Sequence, residues 1–332
     1  MILTSYTDRL TVRQTEEAIA PLKRLFEQNL ALALNLSRVS APLFVTTQSG
    51  LNDHLSGTER PVSFTAAALG QPCEVVQSLA KWKRMALHRY GFAPGEGLYT
   101  DMNAIRADEE KLDHLHSIYV DQWDWERVMA PGERNTDYLK QTVRDIYSAL
   151  VSTQKNLCAQ YPQLTAYLPD KIEFISSQAL LEAYPELPPQ EREHRAARQH
   201  GAIFVTGIGG ALSDDTIHDV RAPDYDDWQL NGDLLVWYPV LEQAVELSSM
   251  GIRVDAAGLT RQLGICNQQD RLSFPFHQAL VQGQLPQTIG GGIGQSRVSM
   301  LLLEKAHIGQ VQVSLWPEET IRALGEAGIE LL

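Results

Sequence analysis

The chain has 332 residues, 44% of them hydrophobic, and a formal net charge of −13. That length supports a full-sized core, arranged as one large domain or two small ones, and the acidity argues against extensive nucleic-acid binding, because each phosphate would meet repulsion. No run of 18 apolar residues occurs, and the start, MILTSYTDRL, lacks the basic-then-apolar layout of a signal peptide. A soluble, cytoplasmic protein without a membrane partner is expected. Cys73, Cys158 and Cys266 are widely spaced and odd in number, which suits free thiols in a reducing compartment better than a disulfide framework or a zinc knuckle.

In chain order, TEEAIAPLKRLFEQNLALALNL has helical spacing at Leu22, Leu25, Phe26 and Leu30, with Pro21 near the helix start or bending it. SRVSAPLFV reads as a strand ending near Pro42. EVVQSLAKWKRMAL turns from strand to helix, and HSIYVDQWDWERVM is a long alternating strand. Asn135 to Lys155 is helical, with Leu139, Val143, Ile146 and Leu150 in phase. AYPELPPQ, followed by EREHRAARQH, reads as a turn into a helix. KIEFIS, AIFVTGI, DLLVWYPV and the run into ELSSMGIRV are further strands; the end, from Ser296, is a helix followed by one short strand. Neighbouring strands without crossover helices predict a mixed α/β fold of the α+β type, a mainly antiparallel sheet flanked by helices. No repeat or linker divides the chain, so residues 1–332 are read as one domain.

Two glycine clusters invite a nucleotide-loop reading that fails. Gly207, Gly209 and Gly210 in AIFVTGIGGAL are misplaced for a dinucleotide fingerprint, and GGGIGQSR lacks the Lys-Ser/Thr of a phosphate-binding P-loop. Glycines at 290, 292 and 294 instead clear one face of a strand, where a planar group can lie against bare backbone. Arg297, just inside the following helix, can fold its guanidinium over the other side of that plane. A glycine-rich approach to a helix with a surface arginine is the plainer alternative.

On HSIYVDQWDWERVM a period of two places Gln122, Asp124 and Glu126 on one face, and Asp121, Trp123 and Trp125 on the other. Gln122 and Asp124 can accept hydrogen bonds from an ammonium group, although a solvated sheet face would carry the same pattern. Asp224, Asp226, Asp227 and Asp233, with Glu246 further on, form a hard-oxygen set that suits Mg²⁺ or a solvated acidic loop. Strict alternation separates Glu246 from Ser249, so a bulge must intervene if both line one site. Lys81, Lys83, Arg84 and Arg106 are the grouped bases; Arg106, closing a strand-like stretch, can clamp an α-phosphate bidentately. His114 and His116 lack a third metal ligand.

Taken together, GLNDHLSG, SLAKWKR, GEGLYT, YVDQWDWERVM, VRAPDYDDW, LNGDLLVW, ELSSMGIRVDA and PQTIGGGIGQSR resemble the asparagine synthetase A family, the ammonia-using aspartate–ammonia ligases. The resemblance runs nearly end to end. It implies a catalytic core like that of class II aminoacyl-tRNA synthetases, working as a homodimer through a first motif around Pro42. By the same resemblance Arg106 grips the ATP α-phosphate and Arg297 stacks on adenine against the strand at Gly292 and Gly294. Asp53, Ser78, Gln122 and Asp124 would hold the substrate aspartate, with Lys83 and Arg221 as contacts for its carboxylates. Asp226, Asp233, Glu246 and Ser249 would line the nucleotide side, with Asp233 and Glu246 holding Mg²⁺. The segment between Trp228 and Asn231 is short beside longer family versions, so the loop closing over the nucleotide is expected to differ.

The implied reaction makes asparagine, AMP and diphosphate through a β-aspartyl-adenylate. Arg106, Asp124 and Arg297 are the residues expected to carry it. A stand-alone tRNA-charging enzyme and a non-catalytic synthetase-like binding subunit are the alternatives. No anticodon-binding module is legible, which weighs against the first, as does the net acidity. Glutamine as nitrogen donor is disfavoured because no cysteine precedes Cys73.

Overall fold

The structure, a computed structural model, describes residues 6–53 and 59–332. The opening MILTS and the end of GLNDHLSG, within HLSGT, lie outside the described residues. Helix α1 (Val12–Leu34) begins at a reciprocal capping box between Thr11 and Gln14, and one face buries Leu22, Phe26, Leu30 and Leu34. Pro21 lies well inside this helix, which continues past it to a left-handed cap at Asn35.

Where one strand ending near Pro42 was expected, two form: β1 (Leu36–Arg38) and β2 (Phe44–Thr46). Pro42, which has no N–H for a ladder, falls in the break between them, and the two strands join different sheets. Then come β3 (Ser63–Ala66), β4 (Gln71–Val75), α2 (Ala80–Tyr90), β5 (Gly97–Ile105) and β6 (Tyr119–Val128). Helix α3 (Thr136–Gln160) is capped by Asn135, whose side chain accepts from the Tyr138 N–H at 2.9 Å. β7 (Glu173–Ser176), α4 (Ser177–Ala183), α5 (Pro189–His200, proline in its first turn) and β8 (Ala202–Thr206) follow. The remaining elements are β9 (Asp226–Tyr238), β10 (Gln243–Arg253), α6 (Ala256–Ile265), α7 (Pro275–Val281), β11 (Thr288–Gly294), α8 (Gln295–Leu302) and α9 (Glu318–Glu326).

The large sheet runs β1-β5-β6-β11-β10-β9-β8-β7, and a small one runs β2-β4-β3. Only β1 with β5 and β7 with β8 pair in parallel in the large sheet, so the antiparallel expectation holds. One face of the sheet packs on α1 and α3: Trp123 and Trp125 of β6 are buried there, with Phe26 tilted against Trp123 at 4.7 Å between ring centroids. Because alternation is strict along β6, burying both tryptophans turns Gln122 and Asp124 to the opposite face.

Two sequence expectations change. VQVSLW after α8 forms no strand: Val313 and Leu315 are exposed, and after Pro317 the chain turns into α9. Alternation without a neighbouring strand edge leaves backbone groups unpaired, which disfavours the extended form. The short stretch between Trp228 and Asn231 makes no separate loop either. It lies within β9, where residues 227–230 stand opposite Ile252 alone, between the pairs Asp226–Arg253 and Asn231–Gly251.

Candidate active site

A cleft of about 360 Å³ opens on the face of the sheet opposite the tryptophans, over β6, β11 and β10. It gathers Asp53, Ser78, Lys83, Arg106, Gln122, Asp124, Arg221, Asp226, Glu246, Ser249, Gly292, Gly294 and Arg297. Asp233 lines an adjoining cavity instead, and Glu246 lines both.

β6 supplies the cleft floor. Asp124 is buried, with one carboxylate oxygen accepting from the Leu79 N–H at 3.3 Å and the other held by Lys83. Lys83 also donates to the carbonyls of Trp125 at 2.8 Å and Gly291 at 3.1 Å. Its three N–H donors are therefore taken. The sequence reading made Lys83 a contact for substrate carboxylates; in the fold it is a brace that fixes Asp124. Burial pushes the Lys83 ammonium below its ordinary range, against the pull of Asp124 and Glu126.

Arg221 is different. One guanidinium nitrogen is paired with Asp233, while its Nε is buried without a partner among the described residues. An orphaned buried donor is costly, so this N–H suits an incoming carboxylate. Arg106 follows β5 and donates to the Gln77 carbonyl at 3.1 Å. Burial lowers its pKa, and the Asp53 charge opposes that shift.

The glycines of β11 divide their work. A Cβ on Gly290 would fall 2.1 Å from Glu126 Oε2 and 2.6 Å from Arg253 Nη2, so its bare face houses the protein's own ion pair. A Cβ on Gly292 would fall 2.4 Å from Gln122 Oε1. Gly294 faces only the Arg297 stem, at 3.4 Å and beyond. Of the three, only Gly292 and Gly294 line the cleft. Arg297, in the first turn of α8, rests one nitrogen on the Glu246 carbonyl at 3.0 Å.

The bulge demanded by the sequence is present. Glu246 pairs with Leu235 and Ser248 with Leu234, so Leu247 is the extra residue, and it brings Glu246 and Ser249 to one side. Ser249 Oγ lies 2.7 Å from Asp233 Oδ1 and 3.0 Å from Glu246 Oε1. One hydroxyl hydrogen cannot satisfy two carboxylates. Burial, then the nearby Asp233 charge, raises the Glu246 carboxyl above its usual range. Two acidic groups one proton short are a donor set that fits a divalent cation.

Sequence reasoning missed Arg253 as a site-shaping residue. It grips Glu126 through two bonds, of 3.0 and 2.7 Å, and pairs with Asp226. The signal was available: Arg253 lies four residues beyond Ser249 in strand period. Burial raises the Asp226 carboxyl despite Arg253, which limits its freedom to meet a ligand. Gln77, packed between Arg106 and Asn52, was also missed.

Other candidates point away. Asp224 is enclosed by Lys81, Arg271 and His277 at 3.0–3.1 Å, Asp227 pairs with Arg134, and Arg84 donates to the carbonyls of Pro286 and Val254. These tie α2 and α7 to the segments around the cleft. His114 lies against Gln243 and His116 against Asp113. Gly207 and Gly209 sit at positive φ in the segment that follows β8.

The architecture is that of the class II aminoacyl-tRNA synthetase catalytic core. An asparaginyl-tRNA synthetase from Pyrococcus horikoshii complexed with asparaginyl-adenylate matches 92% of this chain and 70% of its own, at a TM-score of 0.68 and 14% identity. An aspartyl-tRNA synthetase from Entamoeba histolytica matches 90% and 58%, at 0.60 and 14%. At such identity the likeness is one of fold alone. Sequence narrows it. Residues 13–328 match the aspartate–ammonia ligase family. The aspartate–ammonia ligase of Clostridium perfringens (strain SM101 / Type A) is 56% identical over 98% of this chain and 97% of its own. That of Bacillus cereus (strain G9842) is 54% identical over 98% and 99%. The chain belongs to the aspartate–ammonia ligase family, a family of enzymes.

Proposed function

We propose that this protein joins ammonia to L-aspartate, converting ATP to AMP and diphosphate through a β-aspartyl-adenylate. The observation that carries the reading is a single cleft holding Arg106, Arg297, Gln122, Asp124, Ser249 and Glu246, with Asp233 hydrogen-bonded to Ser249 from the adjoining cavity.

Adenine would lie between Arg297 and the strand at Gly292 and Gly294, with Arg106 on the α-phosphate. Asp53, Ser78, Gln122 and Asp124 take the substrate's polar groups, and the spare Nε–H of Arg221 meets a carboxylate. Lys83 acts by holding Asp124 in place. A β-carboxylate oxygen attacks the α-phosphorus in line, and the bond to the β-phosphate breaks as diphosphate leaves. Ammonia then attacks the β-carbonyl carbon, and AMP departs with the bonding electrons. Positioning and charge neutralisation supply most of the acceleration. Asp233 and Glu246 would hold Mg²⁺, whose charge offsets that of the phosphates. Asp226 shapes this wall through Arg253.

Residues 1–332 act as one catalytic domain in a cytoplasmic homodimer without a nucleic-acid partner. Leu43 and Phe44, exposed beside Pro42, are apolar surface that a second copy would cover. Mass analysis of products from aspartate, ammonium and Mg-ATP should yield asparagine and AMP. ADP with orthophosphate, or charging of added tRNA, would refute the reading. Glutamine should not replace ammonium at equal concentration.

A further inference from the structure

Tyr225 immediately precedes β9 and lines the cleft. Its surroundings hold it from several sides. Its carbonyl accepts from the Val254 N–H at 2.8 Å. Asp224 before it is enclosed by Lys81, Arg271 and His277, and Asp226 after it is paired with Arg253. The Arg253 guanidinium, itself fixed by Glu126, sits 5.7 Å from the centre of the phenol ring. So much anchoring leaves the side chain little freedom. Its hydroxyl is nevertheless open to the cleft and has no hydrogen-bond partner among the described residues. A half-buried phenol normally finds such a partner. One mounted this firmly with its O–H unused is preorganised for a bound group.

Asp53 and Arg106 lie within electrostatic reach of Tyr225, so the phenol stands where the substrate's β-carboxylate would meet the α-phosphate. We propose that Tyr225 donates a hydrogen bond to the β-carbonyl oxygen of the aspartyl-adenylate and stabilises the oxyanion formed when ammonia attacks. The inference rests on the ligase reading above. In that step the ammonia lone pair forms the C–N bond and the C=O pair moves onto oxygen. When the pair returns, the C–O bond to phosphate breaks, AMP leaves with its electrons, and the surplus nitrogen proton passes to water. The cleft's other donors are spent. Lys83 has its three acceptors, Arg106 and Arg297 serve the nucleotide, and Arg221, Ser78 and Gln122 serve the substrate's remaining polar groups. Burial, with the charges of Asp53 and Asp226, holds the Tyr225 pKa well above its ordinary value, so the phenol keeps its proton near neutral pH. A neutral donor holds a ground-state carbonyl weakly and gains most when charge appears on the oxygen.

The test is Tyr225→Phe, which keeps the ring against Arg253 and removes only the hydroxyl. Two half-reactions are followed separately. One is aspartate-dependent exchange of diphosphate into ATP; the other is single-turnover formation of asparagine when ammonium is mixed with enzyme carrying preformed aspartyl-adenylate. Loss of one oxyanion donor costs about 100-fold, so amidation should slow on that scale, while exchange at saturating aspartate slows by about threefold or less. Tm should stay within about 2 °C, because no protein partner is lost. Amidation within about threefold of the parent rate would overturn the assignment. So would exchange and amidation slowed by the same factor, which would make the hydroxyl a ground-state contact. A Tm lowered by more than about 2 °C would also overturn it, since the hydroxyl would then be committed within the protein. Absence of exchange in the parent enzyme would instead sink the ligase reading itself.

Discussion

The three alternate glycines of β11 form a ruler laid along the cleft, and alanine at each position should fail in a different way. At Gly290 the added Cβ would stand 2.1 Å from Glu126 Oε2 and 2.6 Å from Arg253 Nη2. Both groups are buried and hydrogen-bonded to one another, to Thr288 and to Asp226, so neither can step aside. Breaking a buried ion pair costs about 3–5 kcal/mol. At roughly 2 °C per kcal/mol for a chain this long, Gly290→Ala should lower Tm by about 6–10 °C. At Gly292 the obstacle is the Gln122 amide end at 2.4 Å, a flexible group that can swing toward the cleft. Tm should stay within about a degree, while kcat/KM for aspartate falls roughly 10- to 100-fold, the worth of one or two displaced hydrogen bonds. At Gly294 only the Arg297 stem is near, at ordinary contact distance. Gly294→Ala should fold normally and raise the KM for ATP. Differential scanning calorimetry with full kinetics on all three separates the effects. Equal loss of stability at 290 and 292, or an unchanged ATP KM at 294, would refute the division of labour.

Lys83→Met should be the most damaging single substitution in the cleft floor, because it leaves Asp124 and Glu126 buried without their shared cation. A loss of about 3–5 kcal/mol is expected from urea unfolding. For Glu246 the sign runs the other way. Its folded carboxyl is held above the ordinary carboxylate range, so the native state keeps the proton to higher pH than the unfolded chain does. Stability from this group is lost as pH rises from the ordinary value through the raised one. Glu246→Gln should therefore raise Tm near pH 8 but not near pH 4 while abolishing ATP use, a trade between stability and activity. Thermal scans at both pH values decide it.

Much of the site could be read in the sequence because strand periodicity is a rigid rule. Once Trp123 and Trp125 were inward, Gln122 and Asp124 had to face the other way, and the conflict between Glu246 and Ser249 demanded the bulge that Leu247 supplies. What could not be read is partner choice. Nothing local distinguishes Asp226, held by Arg253, from Asp224, enclosed by three basic side chains, or Asp227, paired to Arg134. Those fates depend on residues about 27 to 143 positions away in the chain. Lys83 illustrates the same limit: its place in SLAKWKR made it a cation near the site, but only the meeting of α2 with β6 and β11 used up its donors. VQVSLW failed for a related reason, since alternation says which face is apolar but not whether a strand edge awaits it.

The cleft also answers how a chain of net charge −13 could accept a nucleotide. All five of its lysines and arginines have protein acceptors, but these differ in strength; Arg106 donates to the neutral Gln77 carbonyl at 3.1 Å. Arg253 is gripped by Glu126 and Asp226 in the interior, so it is scaffold. Arg221 has one carboxylate and an orphaned Nε–H, which makes it half committed. Lys83 is fully committed. Arg297 has a single neutral carbonyl at 3.0 Å, with the Glu246 carboxylate no nearer than 4.0 Å. A neutral hydrogen bond at a partly open site is worth on the order of 1 kcal/mol, and stacking of a guanidinium on an aromatic plane is of similar size. Arg297 can therefore exchange its carbonyl for a base at almost no net cost, whereas Arg253 cannot leave its carboxylates. The graded pairing sets which cations are free to recognise a ligand and which hold the cleft in shape while they do so.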